Sequence, residues 1–198
     1  MKDRLITNAI TALQQGLLVV YPTDTLYALG ASIYLDQAVD RVFSLKQRPT
    51  SIPLPVAVAS VDAICDIASM NEMARMIADV FLPGSLTLIL SKKPVVSDHV
   101  NAGKSSLAIR VPADPIASEL LSSIGPVTAT SANIHQHPPA FTVPEIQSVF
   151  VSDDIAVFLD DGRRSAPPST IIDMQTDQPR VLRTGSISPS EIYSVIRR

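Results

Sequence analysis

Ile6, Ile10 and Leu13 recur at the three-to-four spacing of one helical face, and Gly16 follows as a stop, so the pattern predicts an amphipathic helix from about Lys2 to Gln15. Leu17-Leu18-Val19-Val20-Tyr21 is then an unbroken apolar run of strand length, and Pro22 removes a ladder donor and ends it. Asp36 is suited to cap a helix whose apolar face is Val39, Val42, Phe43 and Leu45. Pro49 keeps that helix from running on, which leaves Lys46 and Arg48 at a frayed end. Leu54-Pro55-Val56-Ala57-Val58 reads as the next strand. Asn71 caps a helix through Phe81 with Met73, Met76, Ile77 and Val80 turned inward.

Beyond the Pro83-Gly84 turn, Leu86 to Leu90 is β-rich, and a polar loop from about Lys92 to Lys104 leads to Ser106-Leu107-Ala108-Ile109-Arg110-Val111-Pro112. There Leu107 and Ile109 alternate with Ser106, Ala108 and Arg110, the period of a sheet with two different faces. Asp114-Pro115 opens a helix that Gly125 closes after Ile124. Val127 to Thr130 is a short strand emptying into Ser131-Ala132-Asn133. Thr142-Val143-Pro144-Glu145 and Ser188-Pro189-Ser190-Glu191 both carry the capping-box pattern and start helices. Strands are expected at Ile155 to Leu159, Thr170 to Asp173 and Pro179 to Leu182, making about seven strands and about six helices of an α/β fold with a mixed sheet.

Composition narrows the classes. With 198 residues and 46% hydrophobic content the chain can build one sizeable core and hardly two. A formal net charge of -3 exerts no general pull on a polyanion, and with 5% aromatic residues it argues against a dedicated RNA-binding module. Cys65 is the single cysteine, so no internal disulfide forms; its apolar setting reads as a small buried side chain in a reducing compartment. The run Leu17 to Val20 is too short for a membrane span or a signal core, and the expected location is cytoplasmic.

Candidate chemistry gathers where strands end. Tyr21-Pro22-Thr23-Asp24-Thr25-Leu26-Tyr27-Ala28-Leu29-Gly30 brings hydroxyls and a carboxylate to a strand exit, where a plain Thr/Asp turn is the competing explanation. The cations of Lys46-Gln47-Arg48-Pro49 suit either a helix macrodipole or a phosphate. Arg110 is either a solvent-side charge or a fork for a carboxylate or phosphate. Ser131-Ala132-Asn133 is either an Asx-type turn or a polar strand end. Ala102-Gly103-Lys104-Ser105 is no P-loop, because Asp98 stands where the second glycine is needed. His135 and His137 have no evident third ligand, so no metal site is assigned.

In this order, the stretches from Tyr21 to Gly30, Lys46 to Pro49, Ser131 to Asn133, Ser169-Thr170-Ile171-Ile172-Asp173 and Leu182-Arg183-Thr184-Gly185 resemble the motifs of the YrdC family, whose members make threonylcarbamoyl-adenylate for the t6A modification of transfer RNA. The resemblance implies a YrdC/RibB-like fold, a twisted mixed sheet with surrounding helices and a deep central cleft, as a single domain over residues 1–198. It implies condensation of L-threonine, bicarbonate and ATP with release of pyrophosphate, magnesium arriving mainly through the nucleotide, and a downstream t6A transferase machinery as partner. Thr25, Arg110, Ser131 and Ser169 match threonine positions; Lys46, Arg48, Ser106, Asn133 and Arg183 match nucleotide positions, with Lys46 and Arg48 the candidate catalytic pair. Many members have Gly at Ala28, Asn at Ile52 and His at Ala57, departures that bear on affinity and amino-acid preference. Two other functions fit the resemblance: an RNA-binding module, with weak RNA binding, and a carbamoyl-transfer domain like that of hydrogenase maturation proteins. One cysteine excludes the zinc-finger segment that accompanies the latter.

Overall fold

The computed structural model describes residues 2–176 and 178–196. The first helix, α1 (Lys2–Gln14), buries Ile6, Ala9 and Leu13, and Gly16 at φ 77° reverses the chain after it. β1 (Leu18–Pro22) follows, and a four-residue turn joins it to β2 (Tyr27–Gly30), antiparallel with Pro22 opposite Tyr27. Pro22 is thus the last member of the ladder, and the stretch from Tyr27 to Gly30, read from sequence as part of a turn, is the return strand of a hairpin.

α2 (Asp36–Leu45) is preceded by Leu35 at its N-cap, with no side-chain cap bond; Asp36 lies inside the first turn, where its charge still favours the helix dipole. The other end is no frayed terminus. Gln47 adopts φ 51°, the Gln47 N–H reaches the Ser44 carbonyl at 3.0 Å and the Arg48 N–H reaches the Phe43 carbonyl at 2.9 Å. That is the Schellman pattern, and it holds the backbone on both sides of Lys46 and Arg48 in an ordered turn.

β3 (Val56–Ala57) is shorter than its apolar run. α3 (Val61–Ile67), capped by Ser60, was not anticipated; its periodicity buries Ile64 and Ile67 and turns Cys65 outward, so this thiol is free and exposed rather than buried. After β4 (Ala68–Ser69) comes α4 (Glu72–Phe81), with the Asn71 side chain accepting from the Ala74 N–H at 2.8 Å. Its core face is Ala74, Ile77 and Ala78, whereas Met76 and Val80 are 40% and 59% exposed, contrary to the inward orientation expected for them. Ala74, Ile77 and Ala78 join the large core, while Met76 and Val80 line a surface pocket with Glu191, Ser194 and Val195.

The remaining elements are β5 (Leu86–Lys92), α5 (Asp98–Asn101), β6 (Ser106–Arg110), α6 (Pro115–Ile124), β7 (Val127–Thr128), β8 (Thr130–Ser131), α7 (Val143–Val149), β9 (Ile155–Phe158), β10 (Thr170–Asp173), β11 (Arg180–Arg183) and α8 (Pro189–Ile196). Asp114 caps α6 through bonds from the Ile116 and Ala117 N–H groups, and Thr142 and Glu145 form a complete capping box on α7. Among the described residues there are eleven strands and eight helices, more than hydrophobic patterning resolved, because two-residue strands leave no periodicity.

Two mixed sheets result. One has the order β8-β2-β1-β9; the other runs β11-β10-β5-β6-β3-β7, with β4 also on β5. The chain passes from one to the other at Ala129, since β7 pairs with β3 and β8 with β2. β1 shows why its sequence has no alternation: Leu18 and Val20 face the large core shared by the two sheets, while Val19 and Tyr21 face a second core made with α1 and α6. No helix among the described residues is long and apolar enough to cross a membrane.

Candidate active site

A cavity of about 400 Å³ opens between the two sheets, lined among others by Thr23, Thr25 and Ala28 from the hairpin, Arg48, Thr87 of β5, Ala108 and Arg110 of β6, Ser131 of β8, Ser169 and Arg183. The hairpin turn supplies one wall. The Thr23 hydroxyl accepts from the Thr25 and Leu26 N–H groups and donates to the Leu26 carbonyl at 2.6 Å, which locks the turn. Thr25 Oγ1 lies 3.0 Å from Thr23 Oγ1 and accepts from Nη1 of Arg110 at 3.0 Å. Since the Thr23 proton is already committed, the Thr25 hydroxyl donates to Thr23, and the proton direction in this chain is set.

Arg110 ends β6 on the face shared with Ala108, as the alternation required, but it is a buried cation, only 6% exposed. Its Nη2 meets Asp24 Oδ1 at 2.6 Å. Asp24 is in turn held by the Ala113 N–H at 3.1 Å and the Ser85 hydroxyl at 2.7 Å. These bonds satisfy the carboxylate, and they clamp the guanidinium against three loops; Arg110 Nε is buried with no hydrogen-bond partner among the described residues.

Ser169 forms the opposite wall. Its hydroxyl is 2.8 Å from that of Thr87, and Arg183 grips it, donating from Nη2 to the Ser169 carbonyl at 2.9 Å and to the hydroxyl at 3.2 Å. Burial, and next the positive Arg110, lowers the Arg183 pKa. Gly185 permits this crossing: a Cβ there would fall 1.9 Å from the Pro168 carbonyl oxygen, closer than any side chain allows.

Arg48 enters through its ordered turn, with Nε donating to the Ile52 carbonyl at 3.1 Å and Nη2 to the Pro53 carbonyl at 2.7 Å; burial lowers its pKa. Lys46 does not reach the cavity. It is 2% exposed and its Nζ donates to the Ser131 and Asn133 carbonyls at 2.5 and 2.6 Å. Burial, with Arg48 adding repulsion, lowers its pKa to about 7.

Of the residues singled out from sequence, the fold brings Thr25, Arg48, Arg110, Ser131, Ser169 and Arg183 to one cavity, and leaves Lys46, Asn133 and Ser106 off its lining. Asn133 spends its amide on the Ile134 and His137 carbonyls and accepts from the Ser131 hydroxyl. Ser106 begins the strand that Arg110 ends, about 13 Å away at the usual rise per residue. Ala28 lines the cavity; Ile52 serves Arg48 through its backbone, and Ala57 is buried on β3 beside Arg110. Asp24 and Thr87 were given no role from sequence. The turn that holds Asp24 and the strand that holds Thr87 were legible, but their partners lie 86 and 82 residues away. No group of three or more His, Cys, Asp or Glu among the described residues could hold a metal ion.

Hydroxyls and three guanidiniums thus line one cavity of an α/β protein, a lining whose chemistry suits a small anionic molecule. The chain belongs to the Sua5/YciO/YrdC family: the family model, described as "Telomere recombination", matches residues 11–185. It is 36% identical over 98% of its length to a Mycobacterium tuberculosis protein provisionally named threonylcarbamoyl-AMP synthase, covering 90% of that protein. With the Bacillus subtilis threonylcarbamoyl-AMP synthase it shares 35% identity over 98% of this chain and 57% of the relative. The crystal structure of Pyrococcus abyssi Sua5 complexed with L-threonine superposes with a TM-score of 0.92 at 34% identity, covering 99% of this chain and 58% of the other. The chain therefore spans little more than half the length of these last two proteins.

Proposed function

We propose that this protein is a threonylcarbamoyl-AMP synthase, a nucleotidyltransferase that condenses L-threonine, bicarbonate and ATP into threonylcarbamoyl-adenylate and pyrophosphate for the t6A modification of transfer RNA. One observation carries the reading: a single cavity joins the Asp24-braced Arg110 and the hydroxyls of Thr25 and Ser169 to two further guanidiniums, Arg48 and Arg183. The names of the relatives support it, as does the threonine of the Sua5 complex.

In this reading the threonine carboxylate takes the N–H groups of Arg110 left over by Asp24 and Thr25, a planar recognition for which a guanidinium is suited. Thr25, Ser131 and Ser169 offer hydroxyls around the rest of the amino acid, while Ala108 and Ala129 leave room for it. The threonine amine combines with bicarbonate, with loss of water, to a carbamate. A carbamate oxygen then attacks the α-phosphorus as pyrophosphate leaves. The protein needs no covalent intermediate; holding the reactants in line and neutralising phosphate charge lower the barrier, with Arg48 and Arg183 toward the nucleotide. Lys46 acts on that side through the Ser131 and Asn133 backbone it holds.

Magnesium enters with ATP, as part of the substrate. Asp24, the carboxylate that braces Arg110 behind the lining, is a poor resident ligand, because Arg110, Ala113 and Ser85 occupy its oxygens. The product passes to a transferase of the t6A machinery.

The test is release of pyrophosphate from ATP with threonine and bicarbonate each present or omitted. Release that needs both supports the synthase; release indifferent to threonine removes it.

A further inference from the structure

The loop after β8 reaches back to the Lys46–Arg48 turn with two bonds from one residue. His135 donates its backbone N–H to the Lys46 carbonyl at 2.8 Å, and its Nδ1 lies 3.4 Å from Nη1 of Arg48. A guanidinium can only donate, so Nδ1 is the acceptor and the neutral ring carries its proton on Nε2, a buried atom with no hydrogen-bond partner among the described residues. The other hydrogen bonds of the Arg48 side chain go to the backbone carbonyls of Ile52 and Pro53. Among the described residues, His135 is therefore the one side chain hydrogen-bonded to Arg48, and it touches the guanidinium that lines the cavity without lining the cavity itself.

We infer that His135 is a positioning residue that aims the Arg48 guanidinium at the phosphates of the nucleotide. This rests on the reading of the cavity as an ATP site. Two backbone carbonyls restrain the Nε and Nη2 edge of Arg48; the imidazole restrains Nη1, so the fork is held from both sides and enters the site already oriented. The same bond makes the restraint conditional on protonation. The charged groups facing the ring are Arg48 and Lys46, and burial together with both cations lowers its pKa, so Nδ1 keeps its lone pair at neutral pH. In acid, a protonated ring would present N–H to N–H, lose the bond and repel the arginine.

The experiment compares wild type, His135→Ala and His135→Asn by calorimetry with a non-hydrolysable ATP analogue, and by ATP-dependence of pyrophosphate release, from pH 5.5 to 8. Asn can offer its Oδ1 in place of Nδ1 and does not titrate. In His135→Ala the analogue Kd and the KM for ATP should rise about tenfold, as for loss of one hydrogen bond to a charged group, with kcat less affected and threonine affinity unchanged. His135→Asn should bind the analogue within about threefold of wild type and should lack the loss of affinity expected of wild type at the acid end of that range. Equal analogue affinity in wild type and His135→Ala overturns the inference, as does an Asn variant with the acid profile of wild type. Should His135→Ala fail to fold, the Asn profile decides alone. If wild type binds the analogue but releases no threonine-dependent pyrophosphate, the synthase reading fails while the affinity comparison still decides the role of His135.

Discussion

Asp24 Oδ1 and Arg110 Nη2 lie 2.6 Å apart with side chains 13% and 8% exposed, so the cation that faces the cavity is held by a carboxylate from the hairpin turn of the other sheet. The pair defines the orientation of the guanidinium before any substrate arrives. Removing one partner should be worse than removing both, because a lone buried charge keeps its desolvation cost. Asp24→Ala is expected to lower unfolding free energy by about 3 kcal/mol and to weaken threonine binding. Denaturant unfolding of the single variants and of the double variant Asp24→Ala/Arg110→Met checks it; a double variant less stable than either single would contradict it.

Arg110→Lys keeps a positive charge and loses the planar fork. Threonine affinity should fall by about tenfold while affinity for an ATP analogue persists, since one good charge-assisted hydrogen bond is of that size. Calorimetry with threonine on the two proteins reads this directly, and equal affinities would remove the carboxylate role.

Arg48 and Lys46 should part company. Arg48→Ala is expected to raise the KM for ATP with little change in unfolding midpoint, as its partners are exchangeable backbone carbonyls and a histidine. Lys46→Ala, by contrast, strands the Ser131 and Asn133 carbonyls in a buried place and should cost about 2–4 kcal/mol of stability. Thermal unfolding beside ATP kinetics separates the two; equal stability loss in both variants would refute the distinction.

Lys46 also predicts a pH dependence. Its pKa falls from 10.5 to about 7 on folding, so between those values the unfolded chain holds a proton that the folded one has released, and stability rises with pH through the window. Below about 7 the burial penalty is present in full. Lys46→Met should flatten the slope of unfolding free energy between pH 7 and 10 relative to wild type; parallel profiles would show that Lys46 does not cause it.

Gly185→Ala should be poorly tolerated, because its Cβ would meet the Pro168 carbonyl and displace the segment that lays Arg183 over Ser169. A loss of about 2–4 kcal/mol, with ATP use reduced in whatever folds, is expected from such overpacking. A variant as stable and active as wild type would mean that the two segments can separate without consequence.

The sequence by itself determined three helix starts and the strand that bears the buried arginine. Asp114, Asn71 and the Thr142/Glu145 box cap where their short-range chemistry says, since a cap bond spans only two or three residues. The alternation around Leu107 and Ile109 likewise assigned Arg110 to the face of Ala108, a local consequence of strand geometry. Tertiary structure alone decided what that face meets. The Asp24 clamp, the Thr87–Ser169 pair and the His135–Arg48 bond each close over more than eighty residues, and no periodicity encodes such a partner. It also decided that Lys46 is buried under two carbonyls and that Cys65, Met76 and Val80 point outward, because burial depends on which neighbouring element covers a helix face, and only the packed sheets supply that neighbour.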